Sequence, residues 1–213
     1  MVKQERAART RETLVRAAAE VFAEEGFVTA SIASIAKRAG VSAGGLHFHF
    51  GSKLLLAEAV EGRAADAVHR ITSGRRREAG RDALQLMVDS THDLAALLAQ
   101  DAVVRAGFGL CADLARNSVA DLRGQWRKWI EDAFEAAARE NRLAEGVEPV
   151  RAAHAVVAAT VGFEVLGAAE PGWVSRAVVT DFWELLLPRL AAPEALARLT
   201  AGGGGTSPYA CGP

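Results

Sequence analysis

Apolar positions along this chain recur at spacings of three and four, and nowhere does a sustained alternation at spacing two suggest a strand. Between Arg9 and Glu25, Leu14, Ala17, Ala18, Val21 and Phe22 fall on one side of a helix, and Gly26 stands where a helix would end. Thr29 or Ser31 offers a side-chain oxygen to cap a second helix, "IASIAKRA", which Gly40 closes. Ser42 can cap a third, very short helix to about His47, and Ser52 a long fourth helix to about Thr72. The middle pair is a helix-turn-helix. Ile32, Ile35 and Ala36 face inward, Gly40 permits the sharp turn, and Val41 and Leu46 hold the second helix against the first.

Residues 73–81, "SGRRREAGR", look like a basic linker. Helical patterns then return at about 81–99, 101–115, 118–141, 149–169 and 172–190, with a short one near 193–200. "ENRLAEGVEP" and "EPGW" carry the loop signals between them. The last thirteen residues, 201–213, are glycine-rich and poor in bulky apolar side chains, so they are expected to lack fixed structure. The expected fold is all-α. Residues 1–52 form a three-helix domain carrying the helix-turn-helix, 53–200 a larger helical domain, and 201–213 a tail.

Composition narrows the function classes. Half of the 213 residues are hydrophobic and 24% are charged, the balance of a soluble globular chain. Two cysteines, Cys111 and Cys211, lie far apart, so a disulfide framework is not expected and the reducing cytoplasm is the default compartment. The start "MVKQERAARTRETL" has basic residues but no apolar core, unlike a signal peptide. The uncharged apolar stretch 152–163 is too short to span a bilayer, so no membrane partner is expected. The net charge of −1 conceals an asymmetry: residues 1–53 hold eight Lys/Arg against five acids, a balance of +3 that leaves −4 elsewhere. Four of those cations lie in the first eleven residues, as in a solvated terminus or a phosphate-seeking arm.

Chemistry-bearing residues are few. His47 and His49, two apart, point in different directions from a helix, and Gly44 and Gly45 lack the spacing of a nucleotide-binding fingerprint. His47 reads as a phosphate or base contact, or as a solvated residue. His92 and His154 sit on apolar helices, where hydrogen-bonded core or interface histidines are the ordinary outcome. Asp89, His92 and Asp93 share one helical turn, a spacing common by chance, so no metal and no other cofactor is expected. No nucleophile–base pair supports an enzyme. Trp126 and Trp129 share a helix face and read first as core aromatics, while Thr160 carries a hydroxyl that needs a partner if buried. A cavity lined by Met87, Phe108, Trp126 and Phe163 with the Thr160 hydroxyl would suit a small, mostly apolar ligand bearing a carbonyl or lactone oxygen.

The stretch "TRETLVRAAAEVFAEEGFVTASIASIAKRAGVSAGGLHFHFGSKLLLAEAV" resembles, without a gap, the DNA-binding domain of TetR-type repressors. More narrowly, "KQERAARTRETL", "VVRAGFGL" and "GQWRKWIEDA" are similar to the γ-butyrolactone receptors of actinomycetes. The resemblance implies a transcriptional repressor and not an enzyme. It implies a homodimer bound to a pseudo-palindromic double-stranded operator and released by a small lactone- or furan-type signalling molecule. The same fold could answer to an antibiotic or its precursor; a carrier or small helical enzyme is the rival class. The implied DNA-contacting set is Lys3, Arg6, Arg9, Thr29, Ser31, Ser42, Ala43, Gly44, Gly45, His47, His49 and Lys53. In the lactone receptors the residue matching Trp126 borders the ligand, which adds to the reading of Trp126, Thr160, Phe163, Met87 and Phe108 as the ligand set. The dimer is expected from helices 149–169 and 172–190, with Phe182, Trp183 and Leu185 to Leu187 buried between copies. This chain departs from the family where Ala43 replaces a common Lys or Arg, Gly45 a small residue with a side chain, and His47 a tyrosine. One cation and one phenol are missing from the recognition helix.

Overall fold

A computed structural model describes residues 2–74, 82–113, 118 and 120–204, and these are helical with no named strand. The helices are α1 (Val2–Thr29), α2 (Ile32–Ala39), α3 (Ala43–His49), α4 (Lys53–Gly74), α5 (Ala83–Gln100), α6 (Ala102–Ala112), α7 (Leu122–Arg139), α8 (Pro149–Gly167), α9 (Arg176–Leu190) and α10 (Pro193–Leu196), with a 3-10 turn at Pro171–Val174. Past Gly74, the linker expected at 73–81 lies outside the described residues, as does the tail from residue 205.

The chain divides into two compact units, one of residues 1–67 with 101–122 and one of 68–100 with 123–213. The first is thus larger than the 1–52 domain expected from sequence. Its core joins Leu14, Ala18, Val21 and Phe22 of α1 to Ile35 and Ala36 of α2 and Leu46 of α3. Leu56 and Val60 of α4 and Ala106 and Leu110 of α6 complete it. Segment 101–122 returns to this unit because the apolar stripe of α6 finds its complement on α1, a pairing that no local pattern announces.

Helix α1 begins at Val2, not Arg9. Residues 3–9 lack apolar periodicity but are Ala, Arg, Lys, Gln and Glu, all strong helix formers. Gly26, at φ 76° and ψ 164°, interrupts the helix where the sequence suggested its end, and the chain then resumes to Thr29. Gly40 adopts the left-handed conformation at φ 68° and closes α2, its N–H reaching the Lys37 carbonyl.

In the second unit α5 is buried from Met87 to Ala95 and again at Leu97 and Leu98, as expected of a helix enclosed on all sides. Trp126, Ile130 and Phe134 of α7, Ala153 and Val156 of α8, and Val179, Trp183 and Leu187 of α9 supply the rest of its core. A single bridge between Leu143 and Ala191 ties the α7–α8 connection to the end of α9. Trp183 and Leu187, expected between two copies, are 0% and 3% exposed within this one. His154, expected to be buried or at an interface, is exposed here.

The tail was expected to be free from residue 201, yet residues up to Gly204 are held against α5. Gln85 accepts from Thr200 N at 2.8 Å through Oε1 and donates to the Thr200 carbonyl at 3.2 Å. Asp89 Oδ1 accepts from Gly204 N at 2.9 Å, His92 Nε2 meets the Ala201 carbonyl at 2.9 Å, and Arg176 donates to the Gly202 carbonyl. Burial pushes the His92 imidazole below its ordinary value. Asp89 and His92 are thereby engaged with the C-terminal backbone.

Candidate functional site

Two constellations stand out, one in each unit. In the first, Ser31 caps α2 in a reciprocal arrangement: its hydroxyl accepts from Ser34 N at 3.0 Å, and Ser31 N donates to Ser34 Oγ at 3.1 Å. Thr29, the alternative cap, is instead the exposed last residue of α1. Ser42 caps α3 through Gly45 N at 3.0 Å. Helix α3 continues past the expected end at His47 to His49, and Phe50 N bonds the Leu46 carbonyl at 2.8 Å.

Leu46 and Phe50, four apart and buried, fix one side of α3 to the core. The other side therefore presents Ser42, Ala43, Gly44, His47 and Phe48 to solvent, with His49 half-buried. Phe48 is 85% exposed and meets the His49 ring edge-on at 5.3 Å. Sequence reasoning passed it over, although the signal was present: if Leu46 and Phe50 point inward, the residue between them points out. A side chain at Gly44 would meet nothing within 4 Å, while one at Gly45 would press the Ser42 hydroxyl at 3.3 Å.

The cations arrange themselves unevenly. Arg6 and Arg9 are exposed on the extended α1, where Lys3 is helical too. Arg11 lies over the Phe50 ring at 4.4 Å, and Arg38 pairs with Glu24 and Glu20 of α1, holding the Glu24 carboxyl below its ordinary value. Lys53 departs from expectation. Its ammonium donates to the carbonyls of Phe27 and Ala30 at 2.7 Å and of Val28 at 3.3 Å, above the Phe27 ring. An ammonium has three protons, so Lys53 clamps the α1–α2 turn rather than presenting a free charge.

In the second unit, the Trp126 indole N–H donates to the Thr160 hydroxyl at 2.9 Å, and that hydroxyl donates on to the Val156 carbonyl at 2.9 Å. Trp126 is 2% exposed and stacks on Trp129 with centroids 5.1 Å apart. The partner that a buried Thr160 required is the tryptophan with which it was grouped. One turn along the same α7–α8 seam, Arg123 grips Glu164 through Nε at 2.8 Å. Burial pushes the Glu164 carboxyl up while Arg123 pulls it down. Met87 is fully buried on α5, and Phe163 packs edge-on against Phe182 of α9 with centroids 5.5 Å apart. Phe108 is buried on α6, in the first unit. The Ser90 hydroxyl on α5 and the Trp183 indole N–H on α9 are buried with no hydrogen-bond partner among the described residues. Buried polar atoms are normally satisfied, so this interior retains capacity for a polar contact.

Residues 14–60 match the family of bacterial regulatory proteins, tetR family. The A-factor receptor protein of Streptomyces griseus is 29% identical over 93% of this chain and 70% of its own length. Among solved structures, TylP, a TetR regulator from Streptomyces fradiae, is 33% identical with a TM-score of 0.69, covering 92% of this chain and 93% of its own. A γ-butyrolactone receptor described as ArpA-like is 26% identical with a TM-score of 0.79, over 92% of this chain and 96% of its own. A capped helix-turn-helix on a small unit, a helical second unit and full-length similarity to these regulators make this chain a member of the TetR family of transcriptional regulators, related to the A-factor and γ-butyrolactone receptors.

Proposed function

We propose that this regulator is a repressor that binds a pseudo-palindromic operator as a homodimer and leaves it when a small lactone- or furan-type molecule enters the second unit. The observation that carries the ligand reading is the Trp126–Thr160 hydrogen bond inside an aromatic interior. An indole N–H is a donor with one proton, so a ligand carbonyl that accepts from it must displace the Thr160 hydroxyl. That exchange loosens α7 from α8. The ligand set is then Trp126, Thr160 and Met87, with Phe163 reached through its ring contacts. The unpartnered Ser90 hydroxyl and Trp183 N–H suit a ligand with further polar atoms. Helix α4 is covalently common to both units, and its displacement would re-aim α3.

Phosphates are met by Arg6, Arg9 and Lys3, with Thr29, Ser31, Ser42, His47 and His49 as hydrogen-bonding partners that set register. Lys53 supports this surface from within. The homodimer reading rests on α8, which is 19 residues long and apolar enough to cross a membrane, yet only 33% of that stretch is buried in one copy. Ala155, Ala158, Val165 and Leu166 of α8 and Leu185 of α9, 80% exposed, offer a face for a second copy. Two copies about a twofold axis would require half-sites about one helical turn apart, or a multiple of that.

The deciding experiment selects bound fragments from genomic DNA, then titrates the complex with γ-butyrolactones, furans and antibiotic precursors. Release by a lactone or furan with wild-type protein, and not with Trp126→Ala, is expected. Release by an antibiotic precursor alone would reassign the ligand class. Absence of any DNA binding would favour a carrier.

A further inference from the structure

Helix α3 carries a chemical bias that the family resemblance does not explain. Between Ala39 and Ser52 there is no Lys, Arg, Asn, Gln, Asp or Glu. Those are the side chains that read guanine, adenine and cytosine edges in the major groove, through bidentate or paired hydrogen bonds. What the exposed side of α3 offers instead is the Ala43 methyl, Gly44 and the Phe48 ring, with the Ser42 hydroxyl and the His47 imidazole as its polar groups. Ala43 and His47 are four apart, as are Gly44 and Phe48, so these residues form one stripe. Of the four bases, only thymine presents an apolar group to the major groove, its 5-methyl.

We infer that Phe48, with Ala43 beside it, is the specificity-determining residue of this repressor, and that it reads thymine through the 5-methyl group. The inference rests on the DNA-binding reading above and adds the base that is read. Four features of the helix support it. Phe48 is 85% exposed, an unfavourable position for a phenyl ring in water that contact with an apolar base edge would relieve. The His49 ring packs against it edge-on, which limits the ring's freedom before any DNA arrives. The space around Gly44 is open for 4 Å, so the helix backbone can come close to the base edges and carry Phe48 inward. Leu46 and Phe50, locked in the core, prevent the helix from turning the ring away.

The test uses the full-length protein and a duplex recovered by selection from a random library. Each thymine of the half-site is replaced in turn by uracil, which removes the 5-methyl and leaves every hydrogen-bonding atom in place. At one or two positions, loss of the methyl should weaken wild-type binding about fourfold per half-site, the worth of one buried carbon, and about sixteenfold when both half-sites are changed. The salt slope should not change, because no phosphate contact is touched. Phe48→Ala should bind thymine and uracil duplexes alike at the sensitive position. Phe48→Leu, a second variant that keeps an apolar side chain at this position, should retain part of the uracil penalty. Equal affinity of wild type for every uracil duplex, a half-site recovered without thymine, or an undiminished penalty in Phe48→Ala would overturn the inference while the DNA-binding reading stands. Failure to recover any duplex would remove both.

Discussion

Trp126 and Thr160 satisfy one another: the indole N–H donates at 2.9 Å to a hydroxyl that donates onward to the Val156 carbonyl of its own helix. The two ends of this bond are not equivalent. Thr160→Val leaves a buried N–H without an acceptor and should cost about 1–3 kcal/mol in urea unfolding. Thr160→Ser keeps the acceptor and should cost less than half as much. If Val and Ser variants unfold at the same denaturant concentration, the bond contributes nothing to stability.

One turn away, Arg123 holds a carboxylate that is 8% exposed, while the guanidinium itself is a third exposed. Burial has already raised the Glu164 pKa, so its ionised form is the costly one, and stability is fully present below the ordinary carboxylate range and lost as pH rises through the raised value. Arg123→Ala removes the opposing charge and raises it further. At neutral pH the variant should lose about 1–3 kcal/mol, less than a broken fully buried pair because solvent screens Arg123. The deficit should shrink toward about pH 5, and Glu164→Gln should show a smaller, pH-independent loss. Parallel urea titrations at both pH values provide the measurement.

Lys53 and the arm arginines should separate stability from DNA affinity. Lys53→Met removes the donor to the Phe27 and Ala30 carbonyls, and thermal melting should show a loss of about 1–3 kcal/mol. Its DNA salt slope should match wild type. Arg6→Ala and Arg9→Ala, both exposed, should melt normally, and each should flatten the slope by about 0.9 per lost phosphate contact. A flattened slope in Lys53→Met would place that ammonium on phosphate instead.

The grip of α5 on residues 200–204 should be sensitive to acid. Burial lowers the His92 pKa, with Arg176 acting in the same direction and the Ala201 carbonyl, Asp89 and Asp93 opposing. The unfolded chain then binds the proton more readily than the folded one. Stability is accordingly full above the ordinary value of 6.5 and declines as pH falls below it. Removing residues 200–213 should lower the melting temperature at about pH 8 and flatten the decline toward about pH 5.5, because the freed imidazole regains water. A truncated protein whose melting temperature falls with pH as steeply as wild type would assign the dependence to another group.

Local chemistry was legible without coordinates. The all-α class, the order of helices, the Ser31 and Ser42 caps and the left-handed Gly40 all follow from interactions within a few residues of one another. So does the Gly26 break, which needs only a residue tolerant of positive φ. The fifty residues carrying the helix-turn-helix were identifiable because caps, turn and apolar stripe must agree within so short a span. Helix α1 beginning at Val2 was missed because strong helix formers without an apolar stripe leave no periodicity to detect. Tertiary structure decided what depends on partners distant in the chain. Nothing near Lys53 foretells that its protons go to carbonyls 23 to 26 residues earlier, and nothing near Gln85, Asp89 or His92 announces a strap 115 residues away or nearly so. Trp183 and Leu187 have the pattern of an interface stripe, yet an enclosed α5 and the face of α9 turned toward it place them in the monomer's core. A helix pattern states which residues share a side; only packing states what that side meets.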